Sequence, residues 1–139
     1  MANRVEVLAF LVCDSTMKDA STGKATLSGI FDRLWARQFP CLHPRCSIYF
    51  RLRFLDQNTK ATELTLVITS PSGMKQAMPS VTLPVQEGGI AEGSINIEGL
   101  PFPAEGAYEI ELRIDNERLT GYPLTVMKLE ERPNGQQLH

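Results

Sequence analysis

The segment Ser47–Phe54 reads Ser-Ile-Tyr-Phe-Arg-Leu-Arg-Phe and is the clearest case of alternating side chains in this sequence. Its apolar residues occupy every second position, namely Ile48, Phe50, Leu52 and Phe54, and the positions between them are Tyr49, Arg51 and Arg53. Successive side chains of a β-strand point to opposite faces, so this period of two predicts a strand with one buried face. We therefore expect Phe50 and Leu52 in the core and both arginines in solvent.

The same period of two recurs along the chain. Segments 63–69, 91–97, 108–114 and 122–129 alternate in this way, and the nearly continuous apolar run 5–12 is typical of a central strand. In segment 108–114, Ile110 and Leu112 are expected in the core. Regularly spaced strands without intervening helical patterns predict an all-β protein. The expected fold is a single immunoglobulin-like antiparallel β-sandwich of about seven to nine strands.

Turn and loop residues separate these segments. Ser70-Pro71-Ser72-Gly73 predicts a tight turn, and Asp115-Asn116-Glu117 predicts a short hairpin loop. The polar stretch Asp14–Lys24 and the proline-containing stretch Pro40–Arg45 are both interpreted as loops. Between them we expect a second strand around residues 27–34, with a short helix over Asp32–Phe39 as the alternative.

Length, composition and charge narrow the class of protein. The 139 residues fit one domain, which we expect to span residues 1–129, followed by a disordered tail over residues 130–139. A net charge of −2 gives no electrostatic footprint for nucleic acid or for an anionic membrane. The apolar run 5–12 contains Glu6 and is too short for a signal peptide, so we expect a cytoplasmic location with reduced thiols.

Four stretches together carry a resemblance to a known family. They are VEVLAFLVCD at 5–14, LSGIFDRLW at 27–35, GAYEIEL at 106–112 and YPLTV at 122–126. Together they resemble an uncharacterised family of small bacterial β-sandwich domains of unknown function, over residues 5–128. The resemblance implies a single β-sandwich, and it implies no activity, cofactor or catalytic residue.

The stretch Cys41-Leu42-His43-Pro44-Arg45-Cys46 holds the only cluster of metal-ligand residue types in the sequence. Thiolate and imidazole are ligands that zinc prefers, so Cys41, His43 and Cys46 are the candidate ligands. Their spacing differs from that of zinc fingers and no second Cys/His pair follows, so we expect no metal and no other cofactor. A cysteine nucleophile would need His43 to reach Cys13 or Cys46, and no Gly-x-Ser-x-Gly elbow is present. We expect no catalytic residue.

Charged side chains on the predicted strands have a structural interpretation. Glu109 and Glu111 share a face, and Arg51 and Arg53 have matching parity on another strand. Paired carboxylates can perform acid–base catalysis, but cross-strand pairing of these acids with these arginines explains them more simply. The arginines also share a face with Tyr49, as a surface that stacks nucleic-acid bases requires. The acids interleaved with them argue against nucleic-acid binding.

Interaction with another protein is the remaining class of function. Trp35, Phe39 and Phe102 lie near predicted strand ends and are the candidate interaction residues. The alternative for Trp35 is a structural role as a cap on the open end of the core. Segment Thr62–Thr69 carries one charge and no proline, and we expect it to pair with a second copy if it lies at a sheet edge. The sequence thus predicts a non-enzymatic protein that acts through an unidentified protein partner or as a homodimer. The alternative is a small ligand- or metal-binding domain that uses the Cys41–Cys46 loop.

Overall fold

A computed structural model describes residues 4–56 and 58–130, which form two packed β-sheets. A short 3-10 turn spans Glu87–Gly89. The ten strands are β1 (Val5–Lys18), β2 (Ala25–Ile30), β3 (Arg33–Ala36), β4 (Cys41–Phe54), β5 (Ala61–Thr69), β6 (Lys75–Ala77), β7 (Val81–Pro84), β8 (Ile90–Phe102), β9 (Gly106–Ile114) and β10 (Glu117–Lys128). The tail predicted for residues 130–139 lies, from residue 131 onward, outside the described residues. Across the described ranges, no helix is long and apolar enough to cross a bilayer.

The strand order is that of an immunoglobulin-like sandwich. One sheet has the order β2-β1-β4-β8, and the other has the order β3-β10-β9-β5-β6, with β7 also paired to β5. The trios β1-β4-β8 and β10-β9-β5 correspond to strands A, B, E and G, F, C of immunoglobulin domains. The predicted fold class is therefore confirmed. The strand count exceeds the predicted range because β3, β6 and β7 are only three or four residues long, and β3 pairs with β10 in parallel.

The core fills the space between the two sheets. Phe50 and Leu52 of β4 meet Ile110 and Leu112 of β9 there, and each of the four has no exposed surface. The alternation in the sequence predicted this correctly, because one face of each strand lies against the opposite sheet. Cys13 at the end of the apolar run on β1 is also fully buried.

Three segments that were predicted as loops or as a possible helix are wholly or partly strands in the structure. The expected Asp14–Lys24 loop is wrong in its first part, since β1 continues to Lys18 and pairs with β2. The expected Pro40–Arg45 loop is also wrong, since β4 begins at Cys41 and pairs with β8 from that residue. The alternative of a helix over Asp32–Phe39 fails because Arg33–Ala36 is strand β3. In each case pairing with another strand outweighs the local loop or helix preference.

Thr62–Thr69 belongs to a central strand rather than an edge. Strand β5 pairs with β9 on one side and with β6 and β7 on the other. The condition for a dimer through this segment is therefore not met, because both sides of β5 already pair with strands of the same chain. The terminal strands are β2 and β8 in one sheet, and β3 at one edge and β6 and β7 at the other edge of the second sheet.

Each end of the sandwich contains one local stabilising feature. One lies where β8 connects to β9, and the other lies where β9 connects to β10. The hydroxyl of Tyr108 donates to the carbonyl of Ala104 at 2.6 Å and accepts from the amide of Ala104 at 3.2 Å. This arrangement is the tyrosine corner of immunoglobulin-like domains. At the opposite end, Asp115 and Asn116 both have positive φ, 52° and 64°, as a two-residue type I′ hairpin requires. The short hairpin loop was predicted correctly.

The hairpin formed by β1 and β2 contacts the outer face of β4. The hydroxyl oxygens of Thr16 and Ser47 lie 2.8 Å apart, and Lys18 forms an ion pair with Glu92 on β8. Ser47 and Tyr49 are therefore buried on the face that the sequence predicted to lie in solvent. This contact covers the ring of Tyr49, so the ring is not available to stack on a nucleic-acid base.

Candidate functional site

The candidate metal ligands lie on β4, and the buried side of this strand changes at Pro44. Cys46 faces the core, as do Ile48 and Phe50 at even positions, whereas Cys41 and His43 are half-buried at odd positions. The partner strand changes in the same way, with Ile97 buried before Gly99 and Leu100 buried after it. Gly99 has φ +73°, and Pro44 lacks an amide hydrogen, so the pair interrupts the regular ladder. Among the described residues, no three His, Cys, Asp or Glu side chains are arranged to hold a metal ion.

His43 has no catalytic partner among the described residues. Its buried Nε2 atom makes no hydrogen bond there, and its ring packs 5.6 Å from the ring of Phe31. Burial lowers the pKa of His43 below its ordinary value of 6.5, although the charge of Asp14 opposes the shift. Burial also raises the pKa of Cys46 to about 11, so this thiol stays protonated at neutral pH. The pair therefore lacks both the hydrogen bond and the thiolate that nucleophilic catalysis requires.

The three candidate interaction residues do not share an exposed surface. Phe102 is a core residue with 1% exposure and stacks edge to face on Tyr108, with ring centroids 4.9 Å apart. Phe39 is half-buried against the same core. Trp35 is half-buried and lies outside the core cluster, opposite Met127 across the β3–β10 pair. These three residues therefore do not form the expected interaction patch. Their position near strand ends in the sequence did not show which side chains lie in the core and which lie on the surface.

The charged residues predicted to pair with each other belong to different sheets. Glu109 lies 2.6 Å from Arg118, and Glu111 lies 2.9 Å from Arg113, all on β9 and β10. On the other sheet Arg51 pairs with Glu92 and Arg53 pairs with Glu6. The predicted pairing of Glu109 and Glu111 with Arg51 and Arg53 is wrong, because β4 and β9 face each other across the core. Glu111 is only 4% exposed, which the sequence did not predict.

Glu92 links the β1–β2 hairpin to the sheet. Its carboxylate lies 3.3 Å from Lys18 and 3.0 Å from Arg51, and it accepts a short hydrogen bond from the hydroxyl of Tyr49. Burial favours the neutral form of Glu92. The hydrogen bonds from Tyr49 and Lys18 and the two positive charges outweigh that effect and hold its pKa below the ordinary value. Every polar group of this cluster has a partner, so the cluster is a structural clamp.

An apolar groove lies at the end of the sandwich that carries the tyrosine corner. It encloses about 650 Å³ between the β5–β6 turn, strand β6 and the end of β8. The lining residues come from four stretches of the chain: Pro40, Ile68, Ser70, Pro71, Ser72, Met74, Lys75, Gln76, Pro101, Pro103, Ala104 and Tyr108. Four of them are prolines, which in the sequence read only as turn residues and strand ends. We call this surface the proline groove.

Packing within the chain fixes the walls of the proline groove. A Cβ atom on Gly106 would lie 2.7 Å from Cγ of Pro71, so only glycine allows the β5–β6 turn to approach β9 this closely. The hydrogen bonds of Tyr108 fix Ala104 on the other wall. The hydroxyls of Ser70 and Ser72 lie 2.9 Å apart and bond to each other, and the amide of Met74 donates to Ser70. The groove is thus formed before any ligand binds.

The rim of the proline groove is exposed and mostly apolar. Met74 is the most exposed of the large hydrophobic residues, at 74%, and Pro71, Pro101 and Pro103 are exposed as well. The charged residue of the lining is Lys75, whose Nζ lies 3.9 Å from Glu111. Strand β6, residues 75–77, borders the groove and is the last strand of its sheet. An exposed apolar concavity therefore lies beside unpaired main-chain groups.

A second concavity of about 510 Å³ lies at the opposite end of the sandwich. It is lined by the connections from β4 to β5 and from β7 to β8, and its residues include Asp56, Lys60 and Glu87. The carboxylate of Asp56 accepts hydrogen bonds from the amides of Asn58 and Thr59, so it stabilises its own loop. Burying this polar surface would yield less hydrophobic free energy than burying the proline groove.

Sequence comparison assigns the chain to a family. Residues 8–127 match the family of unknown function DUF6941, and the chain belongs to that family. Its expected membership in an uncharacterised β-sandwich family is thereby confirmed. No sequence among the curated proteins matches the chain significantly.

Structure comparison finds similarity to solved structures that include two Pseudomonas proteins. The first is the alkylpurine DNA glycosylase AlkC of Pseudomonas fluorescens, bound to DNA with an abasic site analogue, with a TM-score of 0.54 and 10% identity. The match covers 89% of this chain, which spans only 30% of the glycosylase chain. The second is an immunoglobulin-like protein of Pseudomonas aeruginosa, with a TM-score of 0.41, 12% identity and coverage of 88% and 95% of the two chains. At these identities the likeness concerns the fold alone.

Proposed function

We propose that this domain is a non-enzymatic protein-interaction module that binds an extended apolar segment of a partner protein in the proline groove. The observation that carries the proposal is the exposed apolar lining of the groove beside the free edge of β6. An extended peptide can add a strand to such an edge and place alternate side chains in an adjacent pocket. Burial of exposed apolar surface then supplies the main favourable free energy of binding.

The chemistry of the groove favours binding over catalysis. The hydroxyls of Tyr108, Ser70 and Ser72 are already hydrogen-bonded within the chain. No imidazole or carboxylate lines the described groove, so it offers no general base beside those hydroxyls. We also propose a cytoplasmic location, since Cys13, Cys41 and Cys46 are all free thiols and such a compartment keeps them reduced.

Nucleic-acid binding is the alternative suggested by the DNA in the glycosylase structure. In this chain two of the three arginines on β4 are neutralised: Arg51 pairs with Glu92, and Arg53 pairs with Glu6. A protein that binds phosphates needs cations free to replace condensed counterions. The proposal of a protein partner therefore takes precedence.

A peptide-display selection on the immobilised domain tests the proposed function. Peptides selected on the wild type should lose at least about tenfold in affinity for Met74→Glu, which places a charge on the apolar rim. The matched control is Met17→Glu, since Met17 is 63% exposed on the β1–β2 hairpin, away from the groove. Selected peptides that bind wild type and both variants equally would overturn the proposal, as would a selection that enriches no peptide.

A further inference from the structure

Strand β8 presents a long open edge on the sheet opposite β6. Its residues other than Gly99 pair with β4 on one side, and no strand pairs with the other side among the described residues. From β7, Leu83 packs on the inner face of β8, 3.3 Å from the position of a Cβ on Gly93. Open edges template pairing with another chain, and proteins usually block them with lysine, proline or a covering element. Between Glu92 and Glu98 the sequence Gly-Ser-Ile-Asn-Ile contains no charge and no proline.

We propose that a second copy of this chain pairs with this edge, antiparallel, about a twofold axis at Asn96. The pairing must bring side chains of the same sheet face opposite each other, which restricts the axis to a residue position. An axis at Ile95 would set Glu92 directly opposite Glu98 of the partner, and two like charges would repel. An axis at Asn96 avoids this contact, since Glu98 then lies opposite Ser94.

The side chains around Asn96 are self-complementary in that register. Ser94, Asn96 and Glu98 are all exposed on the outer face of β8. The two Asn96 amides can donate to and accept from each other, and the hydroxyl of Ser94 can donate to the carboxylate of Glu98. On the inner face Ile95, which is half-buried in the monomer, meets Ile97 of the other copy. Both strands gain partners on each face, as an isologous interface requires.

The part of β8 that can pair with a second copy ends near Gly99. Gly99, at φ +73°, interrupts the strand after Glu98, and Pro101 lacks an amide hydrogen. Pairing therefore ends before Pro101, the β8 residue that lines the proline groove. The dimer would present two open grooves to a partner protein. This interface is independent of the proposed function, because Met74 and β6 take no part in it.

Sedimentation velocity over a range of protein concentrations tests the dimer. The wild type should shift from the 15.5 kDa monomer toward twice that mass as its concentration rises. Asn96→Asp places two carboxylates at the axis and should raise the dimer dissociation constant about fivefold or more. The matched control is Ser28→Asp, an exposed position on the edge strand β2 of the same sheet, which should leave the constant unchanged.

A second variant tests the register. Ser94→Lys should strengthen the dimer, because the axis at Asn96 places each lysine opposite Glu98 of the other copy. An axis at Ser94 would bring the two lysines together and weaken it. A wild type that stays monomeric, a dimer that Asn96→Asp does not weaken, or one that Ser94→Lys weakens would each overturn the proposal. Circular dichroism establishes that each variant is folded.

Discussion

Removal of one hydroxyl tests whether the tyrosine corner holds the wall of the proline groove. In Tyr108→Phe the ring remains against Phe102, and only the hydrogen bonds to Ala104 are lost. Tyr108 is 4% exposed, so the substitution leaves the core filled. The expected result is a small loss of stability together with a measurable loss of peptide binding, because Ala104 lines the groove.

The size of the stability loss follows from the two hydrogen bonds. A typical hydrogen bond contributes about 0.5–1.5 kcal/mol net, and a buried group left unpaired costs about 1–3 kcal/mol. Ala104 is exposed, so water can replace the lost hydroxyl at its carbonyl and amide. We therefore expect Tyr108→Phe to lower the free energy of unfolding by about 1–2 kcal/mol.

Urea unfolding measures the loss of stability. The affinity for a groove-binding peptide from the display selection measures the effect on the proposed function. Tyr122→Phe is the matched control, since the hydroxyl of Tyr122 donates to the carbonyl of Phe31 at 2.6 Å, away from the groove. Both variants should lose stability, but only Tyr108→Phe should weaken peptide binding. A loss below about 0.5 kcal/mol in Tyr108→Phe, or equal peptide binding by both variants, would refute the reasoning.

Three further predictions concern the core, the thiols and the clamp at Glu92. Leu112→Ala should cost about 2–5 kcal/mol in urea unfolding, because Leu112 has no exposed surface. A thiol reagent should label Cys41 first in the native protein, as the other two thiols are buried; early labelling of Cys13 would contradict the fold. The pKa of Glu92 in the folded protein lies below its ordinary value of 4.5. Its ionised carboxylate therefore stabilises the fold above pH 4.5, and this stabilisation is lost as the pH falls below 4.5. Glu92→Gln should therefore flatten the acid limb of the stability profile.

Side-chain alternation predicted the parts of the fold in which a strand has one face against the core. Phe50 and Ile110 illustrate this, since their positions in a period-two pattern were enough to place them between the sheets. The pattern failed where a second layer covered the outer face. Tyr49 occupies a polar-face position, yet the β1–β2 hairpin buries it, and the contact with a distant segment leaves no periodic signal.

The candidate site depends on contacts that single segments do not reveal. Pro40, Pro71 and Pro101 each read as local turn or strand-end residues, and only the fold brings them to one groove. The sheet edges could not be assigned from the sequence for a similar reason. Segment Thr62–Thr69 and strand β8 are both uncharged and β-prone at their centres, and their positions differ only through the order of strands in the sheets.

Amide chemical-shift mapping with a selected peptide tests the central claim most directly. On titration, we expect the perturbed amides to cluster around the proline groove, at Ile68, Ser72, Lys75, Gln76 and Ala104. Perturbations confined to the opposite end of the sandwich, at Asp56 and Gln86, would contradict the assignment of the docking surface.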